Sequence, residues 1–198
     1  MSKIVVVEHL SLDGVMQAPG RVDEDIRGGF KHGGWTLPYN DATKGRMMAG
    51  GMAEAGPLLF GRTTYEDFFR VWPKRKDNPF TEVLDNAQKY VASTTLTEPL
   101  PWQNSTLLKG DAVDAVAQLK AQSDKNIVVL GSGELVRSLM RRNLVDEYVL
   151  VIHPLVLGSG RRLFADDGAS AALRLVDAQT RTTGVVIATY RQAEQTGQ

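Results

Sequence analysis

Short apolar runs rich in β-branched residues alternate along this chain with longer stretches of helical spacing. Runs at 3–10, 57–60, Lys89–Ala92, 106–108, 126–130, 146–152, 172–178 and 185–190 read as strands, several of them closed by glycine. Between them, Ala112, Val116 and Leu119 recur at i, i+4 and i+7, and Leu135, Val136, Leu139 and Met140 form a second stripe. A third helix is predicted over 43–55, with Gly45, Gly50 and Gly51 inside it and Met47, Met48 and Met52 packing one face, and a fourth begins at Thr63. Strand and helix alternate from about 57 to 152, which predicts a mainly parallel sheet with helices on both faces. Only a short glycine-containing turn, 180–184, separates the last two strands, so they are predicted to form an antiparallel hairpin at the sheet edge. The class is therefore α/β with a mixed sheet in a single domain spanning 1–198. The longest unpatterned stretch, 13–41, carries six glycines and reads as the rim or lid of a pocket. The polar tail from Gln192 reads as frayed.

Composition narrows the possible functions. Among 198 residues, 23 Lys and Arg balance 23 Asp and Glu, so no basic excess points to nucleic acid, and 42% hydrophobic content argues against disorder. There is no cysteine, which removes disulfides, thiolate metal sites and thiol nucleophiles and fits a reducing, cytoplasmic setting. No stretch approaches the roughly 20 apolar residues that span a bilayer. The apolar run Ile4–Val7 meets Glu8 and His9 too soon for a signal peptide.

Several clusters could carry chemistry. In Leu130-Gly131-Ser132-Gly133-Glu134-Leu135 a strand ends in Gly-Ser-Gly and a helix starts at once, placing backbone amides where a phosphate could bind. Half of a dinucleotide fingerprint is present, but Val136 stands at the third glycine position and Val151 where a ribose-binding acid would be, so a plain strand-to-helix turn is the alternative. In Gly61-Arg62-Thr63-Thr64-Tyr65-Glu66, Thr63 and Glu66 fit a capping box, and Arg62 sets a permanent cation beside free amides. Ser93, Thr94 and Thr95 put hydroxyls at a strand exit, for a ribose phosphate or simply a Ser/Thr turn. Asp13, before Gly14 at the exit of the first strand, could relay a proton or form an Asx turn. A second Gly-Ser-Gly, Gly158–Gly160, precedes Arg161 and Arg162 and reads either as an anion-binding turn or as a solvated one. His9, His32 and His153 lack metal-motif spacing, no nucleophile elbow or Walker lysine is present, and Trp35, Trp72 and Trp102 read as edge-packing aromatics.

In their order and spacing these segments resemble the dihydrofolate-reductase-like superfamily, and within it the RibD C-terminal reductase domain of riboflavin biosynthesis. The resemblance runs from Ser11-Leu12-Asp13-Gly14 through Leu59–Glu66 and Val129–Gly133 to Leu144–Glu147, His153–Gly160 and Leu163-Phe164. It implies a mixed sheet, NADPH as hydride donor, a small heterocyclic or carbonyl substrate and a homodimer. The implied reaction is of the 5-amino-6-(5-phosphoribosylamino)uracil reductase or dihydrofolate reductase type. Carried over by position, Gly61, Arg62, Thr63 and Thr64 match the cofactor-phosphate turn. Ser93 and Thr94 match the site of the adenosine ribose 2′-phosphate, and Gly131, Ser132, Gly133, Glu134 and Leu135 match the pyrophosphate turn. Asp13 matches the aspartate of the substrate loop, and protonation is expected from Asp13 or from water that it orients. The chain departs from the pattern where riboflavin-pathway reductases carry Glu-Gly-Gly and this one has Leu130-Gly131-Ser132. It departs again in its first helical segment, where Lys44 and Arg46 stand near Asp41 in place of the acid of a folate reductase. The alternative is an NADP(H)-binding protein or sensor that has lost its substrate groups.

Overall fold

A computed structural model describes residues 2–40, 56–75, 78–164 and 170–193. The strands are β1 (Ile4–Ser11), β2 (Leu58–Gly61), β3 (Lys89–Ala92), β4 (Ser105–Leu108), β5 (Ile127–Leu130), β6 (Glu147–His153), β7 (Leu173–Thr180) and β8 (Val186–Gln192), and the α-helices are α1 (Arg62–Val71), α2 (Pro79–Asn86), α3 (Ala112–Gln122) and α4 (Gly133–Arg141). One sheet holds these strands in the order β4-β3-β2-β5-β1-β6-β8-β7. Pairing is parallel from β4 to β6 and antiparallel for β6–β8 and β8–β7, so the hairpin predicted at the edge is there. The helix predicted over 43–55 lies outside the described residues.

Side-chain alternation sorts the core into two layers. Ile4, Val6, Leu59, Ile127 and Val129 face α3 and α4, burying Val116, Leu119, Leu135, Val136 and Leu139. Leu58, Phe60, Val91, Val128 and Leu130 face the other way, against Tyr65 and Phe68 of α1 and Leu84 of α2. Each such fully buried aliphatic or aromatic side chain contributes about 1.5–3 kcal/mol, which fixes the register of the short central strands. The connection from β3 to β4 has no helix. Trp102, with Leu96 and Leu100, fills that space in the second layer, and the Trp102 indole donates to Asp85 Oδ1 at 2.6 Å. Trp102 and Trp35 are thus core residues at 2% and 6% exposure, not edge aromatics.

Lys89 joins this layer with its charged end indoors. Its Nζ donates to the carbonyls of Leu84, Asp85 and Ala87 at the end of α2 and lies 4.7 Å from the centre of the Trp102 ring. Burial pushes its ammonium down to about 8, while the carbonyls that a helix C-terminus leaves without partners are satisfied.

The stretch after β1 packs as an ordered rim. Val15, Ala18, Phe30 and Trp35 form a third cluster with Leu155 and Leu157, and the Trp35 indole donates to the Gln17 carbonyl at 2.8 Å.

Candidate functional site

The carboxyl ends of β3, β2, β5 and β1 open onto one cavity of about 1210 Å³. These four strands are neighbours, so their exits are spaced by ~4.8 Å and span ~14 Å from β3 to β1. Parallel α/β sheets bind ligands in such a crevice. Gly61, Arg62, Thr63, Thr64, Ser93, Thr94, Gly131, Ser132, Gly133, Glu134 and Leu135 all line it. Asp13 does not line it, and of the second Gly-Ser-Gly turn with its two arginines only Arg161 does.

The turn after β5 owes its shape to two consecutive left-handed residues, Gly131 at φ 55° and Ser132 at φ 65°. Neither the Ser132 start of α4 nor the Gly61 start of α1 carries a side-chain cap. The first-turn amides of both helices, which have no intrahelical acceptor, therefore lie at the cavity wall. The Ser132 hydroxyl links the two turns. It accepts the Gly61 N–H at 2.8 Å and donates toward Thr64 Oγ1 at 3.0 Å, with the Leu130 carbonyl 3.2 Å away. Space is tight here: a Cβ on Gly133 would lie 2.5 Å from Met16 Sδ, and one on Gly131 would lie 3.2 Å from Thr64 Cγ2.

The predicted capping box is replaced by another arrangement. Helix α1 starts one residue earlier, at Arg62, and Glu66 pairs with the Arg62 guanidinium at 3.2 Å across one turn. Both partners are half exposed, so the pair leaves Arg62 free to turn toward an anion at little cost. Ser93 forms a Ser/Thr turn, its Oγ accepting the N–H of Thr95 and of Leu96, both at 3.1 Å. Its Oγ also lies 3.4 Å from the Thr95 hydroxyl, and Ser93 and the exposed Thr94 side chain line the cavity.

Asp13 is a structural anchor. Its carboxylate accepts the Ser11 hydroxyl at 2.7 Å and the N–H groups of Leu157 at 3.1 Å and Gly158 at 2.9 Å, with Arg162 3.5 Å away. The Ser11 hydrogen bond, followed by the two backbone bonds, holds the carboxyl down at about 2. It therefore carries no proton to give at neutral pH, which corrects its expected role as proton source. The anion-binding turn read at 158–160 does exist, and the anion it holds is Asp13 of the same chain.

The carboxyl that β1 brings to the cavity is Glu8. It shares the inward face of β1 with Ile4, Val6 and Leu10, and 4% of its surface is exposed. Its Oε1 accepts the His9 N–H at 3.0 Å, and its Oε2 has no partner among the described residues. Burial pushes its carboxyl up to about 8, and the nearby Glu24 carboxylate adds to the shift. The sequence carried a signal for this: a carboxylic acid at a core-facing position of a regularly alternating strand. His9 and His153, far apart in sequence, meet with Nδ1 and Nε2 3.0 Å apart. His153 is fully buried, its ring 5.3 Å from Trp35 and 5.4 Å from Tyr39, centre to centre. The pair thus ties β1 to β6 and to the rim. Among the described residues no group of three or more His, Asp or Glu side chains is placed to hold a metal ion, and no helix is long and apolar enough to cross a membrane.

Comparison with known proteins agrees with this architecture. Two uncharacterized proteins of Bacillus subtilis (strain 168) are similar in sequence. YyaP is 33% identical over 139 residues, covering 67% of this chain and 72% of its own length; YwjB is 34% identical over 123 residues, covering 60% and 63%. A crystal structure from Shewanella sp. PV-4, named for riboflavin biosynthesis, superposes with a TM-score of 0.68 at 23% identity, over 97% of this chain and 99% of the other. A pyrimidine reductase-like protein from Corynebacterium diphtheriae superposes at 0.64 and 15% identity, over 98% and 93%. These two share the fold, a dihydrofolate-reductase-like mixed sheet. The RibD C-terminal domain model matches residues 2–187, and the chain belongs to that family.

Proposed function

We propose that this protein is an NADPH-dependent reductase that transfers a hydride to a small heterocyclic or carbonyl substrate. The observation that carries this function is the convergence of the turns at 61–64, 93–94 and 131–135 on one cavity. Two uncapped helix starts on neighbouring strands, with Arg62 and Arg137 lining the same cavity, suit a pyrophosphate. The Ser93 and Thr94 hydroxyls, one strand further out, suit a ribose phosphate. At about 1210 Å³ the cavity exceeds the ~300–1,000 Å³ of ordinary small-molecule pockets, leaving room for a dinucleotide and a small acceptor together.

The nicotinamide, when bound, supplies the hydride. The chain holds the phosphates at the helix starts, directs the far end of the dinucleotide toward the exit of β1, and excludes water with the rim from Met16 to Asn40. With Leu130 in place of a carboxylate, the acceptor is not gripped as riboflavin-pathway reductases grip theirs. A second copy of the chain would pair along β7, where Leu175 and Val176 are exposed on the outermost strand; sedimentation of the wild type against Leu175→Glu tests that contact.

Calorimetric and thermal-shift titration with NADPH and NADH tests the function. NADPH at about 100 times its Kd is expected to add about 2.7 kcal/mol of stability, and NADH less. No shift with either nucleotide would contradict it.

A further inference from the structure

We propose that Glu8 is the acid of this site, handing a proton from its carboxyl to the heteroatom of a neutral acceptor with a C=O or C=N bond lodged beside the exit of β1. The proposal rests on the reductase function above and adds the missing proton.

Strand pairing places Glu8 at an opening. β5 stays beside β1 only as far as the Val7–Leu130 pair, while on the other side β6 continues to pair through Ser11 and His153. From Glu8 onward the β5 side of β1 is therefore bordered by the turn at Gly131, at the head of the cavity. The other carboxyls lining the cavity each have donors on them, although burial also pushes the Glu24 carboxyl up. Glu24 accepts the N–H of Gly20 and Arg21, and Asp67 pairs with Arg21 and Arg70. Asp25 pairs with Arg27, Glu134 with Arg161, and Asp111 caps α3. Glu8 has only the His9 N–H on one oxygen, and its Oε2 is the one buried polar side-chain atom lining the cavity without a partner among the described residues. Such an atom costs stability and calls for an explanation.

Of the charged groups around it, Glu24 on the rim acts on Glu8 directly, and its negative charge favours the neutral carboxyl. Arg21, on the same stretch, pairs with Asp67 of α1. The same field disfavours an anionic acceptor, hence a neutral carbonyl or imine. Oε2 is a buried atom of a residue that lines the cavity, and the terminal carboxyl torsion is soft, so the O–H can reorient toward an acceptor without moving β1. In the step itself, a hydride bonds to the acceptor carbon and the π pair of the C=O or C=N bond moves to the oxygen or nitrogen. That atom takes the Glu8 proton as the carboxyl O–H bond breaks, leaving a carboxylate that water reprotonates. One hydride and one proton are consumed per acceptor.

The test has a ligand-free arm and a kinetic arm. With glutamate 13C-labelled at its carboxyl, the resonance absent from Glu8→Gln is expected to titrate near pH 8 in the unliganded wild type; a midpoint in the ordinary carboxylate range overturns the proposal. In the kinetic arm, NADPH and the neutral probe carbonyl 4-nitrobenzaldehyde are used with the wild type, Glu8→Gln and Glu8→Asp. Glu8→Gln is expected to bind NADPH within about twofold of wild type and lose at least ~100-fold in kcat. Glu8→Asp recovers part of it, and the wild-type rate falls as pH rises through 8. Unchanged kcat in Glu8→Gln with NADPH bound overturns the proposal alone. Failure of NADPH to bind the wild type overturns the reductase function as well.

Discussion

The tripeptide Gly-Ser-Gly occurs twice in this chain, and the two copies have opposite fates. At Gly131–Gly133 it joins a central parallel strand to a helix, and its amides line the cavity. At Gly158–Gly160 it follows β6 on the far side of β1, and the amides of Leu157 and Gly158 are closed by the Asp13 carboxylate. The glycines allow left-handed backbone in both: Gly131 at φ 55°, and Gly158 and Gly160 at φ 73° and 116°. The difference lies in what stands opposite. One turn faces a crevice between strand ends, where we propose that it receives an external anion, while the other meets an internal anion that staples the rim to the sheet. A short glycine motif therefore specifies a donor-rich turn, and the surrounding topology decides whether the acceptor belongs to a ligand or to the protein.

Four substitutions break or sharpen that contrast. Asp13→Ala removes the internal anion and leaves two amides and Arg162 without it, with an expected loss of about 2–3 kcal/mol in urea unfolding at pH 7. Its NADPH affinity should stay near wild type, because Asp13 does not line the cavity. The pH dependence has a definite sign. Asp13 is held at about 2, below its ordinary 3.8, so its contribution is fully present above 3.8 and lost as pH falls through 2. The gap between wild type and variant should close over that window. Next, Arg62→Ala should weaken NADPH about 10- to 100-fold by calorimetry, the loss of one charge-assisted contact, while unfolding changes by under ~0.5 kcal/mol because only an exposed ion pair is lost. Third, Ser132→Ala strips the Gly61 N–H of its acceptor and should cost about 1 kcal/mol in unfolding, with weaker NADPH binding as the two turns loosen. Smallest of all, Ser159→Ala, at the same place in the second tripeptide but exposed, should stay within ~0.5 kcal/mol and leave binding untouched.

The sheet was legible in the sequence because its short strands are apolar runs punctuated by glycine and its helices carry clear stripes. Local pattern also found the turns at 61–64, 93–94 and 131–135, since donor-rich strand exits are encoded by the residues that form them. What was not legible depended on residues far away. The capping box at Thr63 and Glu66 gave way because Ser132, distant in sequence, binds the Gly61 amide and Arg62 takes Glu66. The β3–β4 crossover lacks the helix that alternation suggested, because Trp102 fills the layer. Asp13 looked like site chemistry because its local motif hides the loop it binds, whereas Glu8 looked like a strand residue because its burial comes from tertiary packing.

The central claim is that the open Gly-Ser-Gly, and not the filled one, receives a dinucleotide. Backbone amide chemical shifts recorded during titration with NADPH test it most directly. The account predicts large shifts at Gly131, Ser132 and Gly133, accompanied by Gly61, Arg62, Ser93 and Thr94, with Gly158, Ser159 and Gly160 unmoved. Shifts concentrated at 158–160, or none at 131–133 under saturating NADPH, would contradict it.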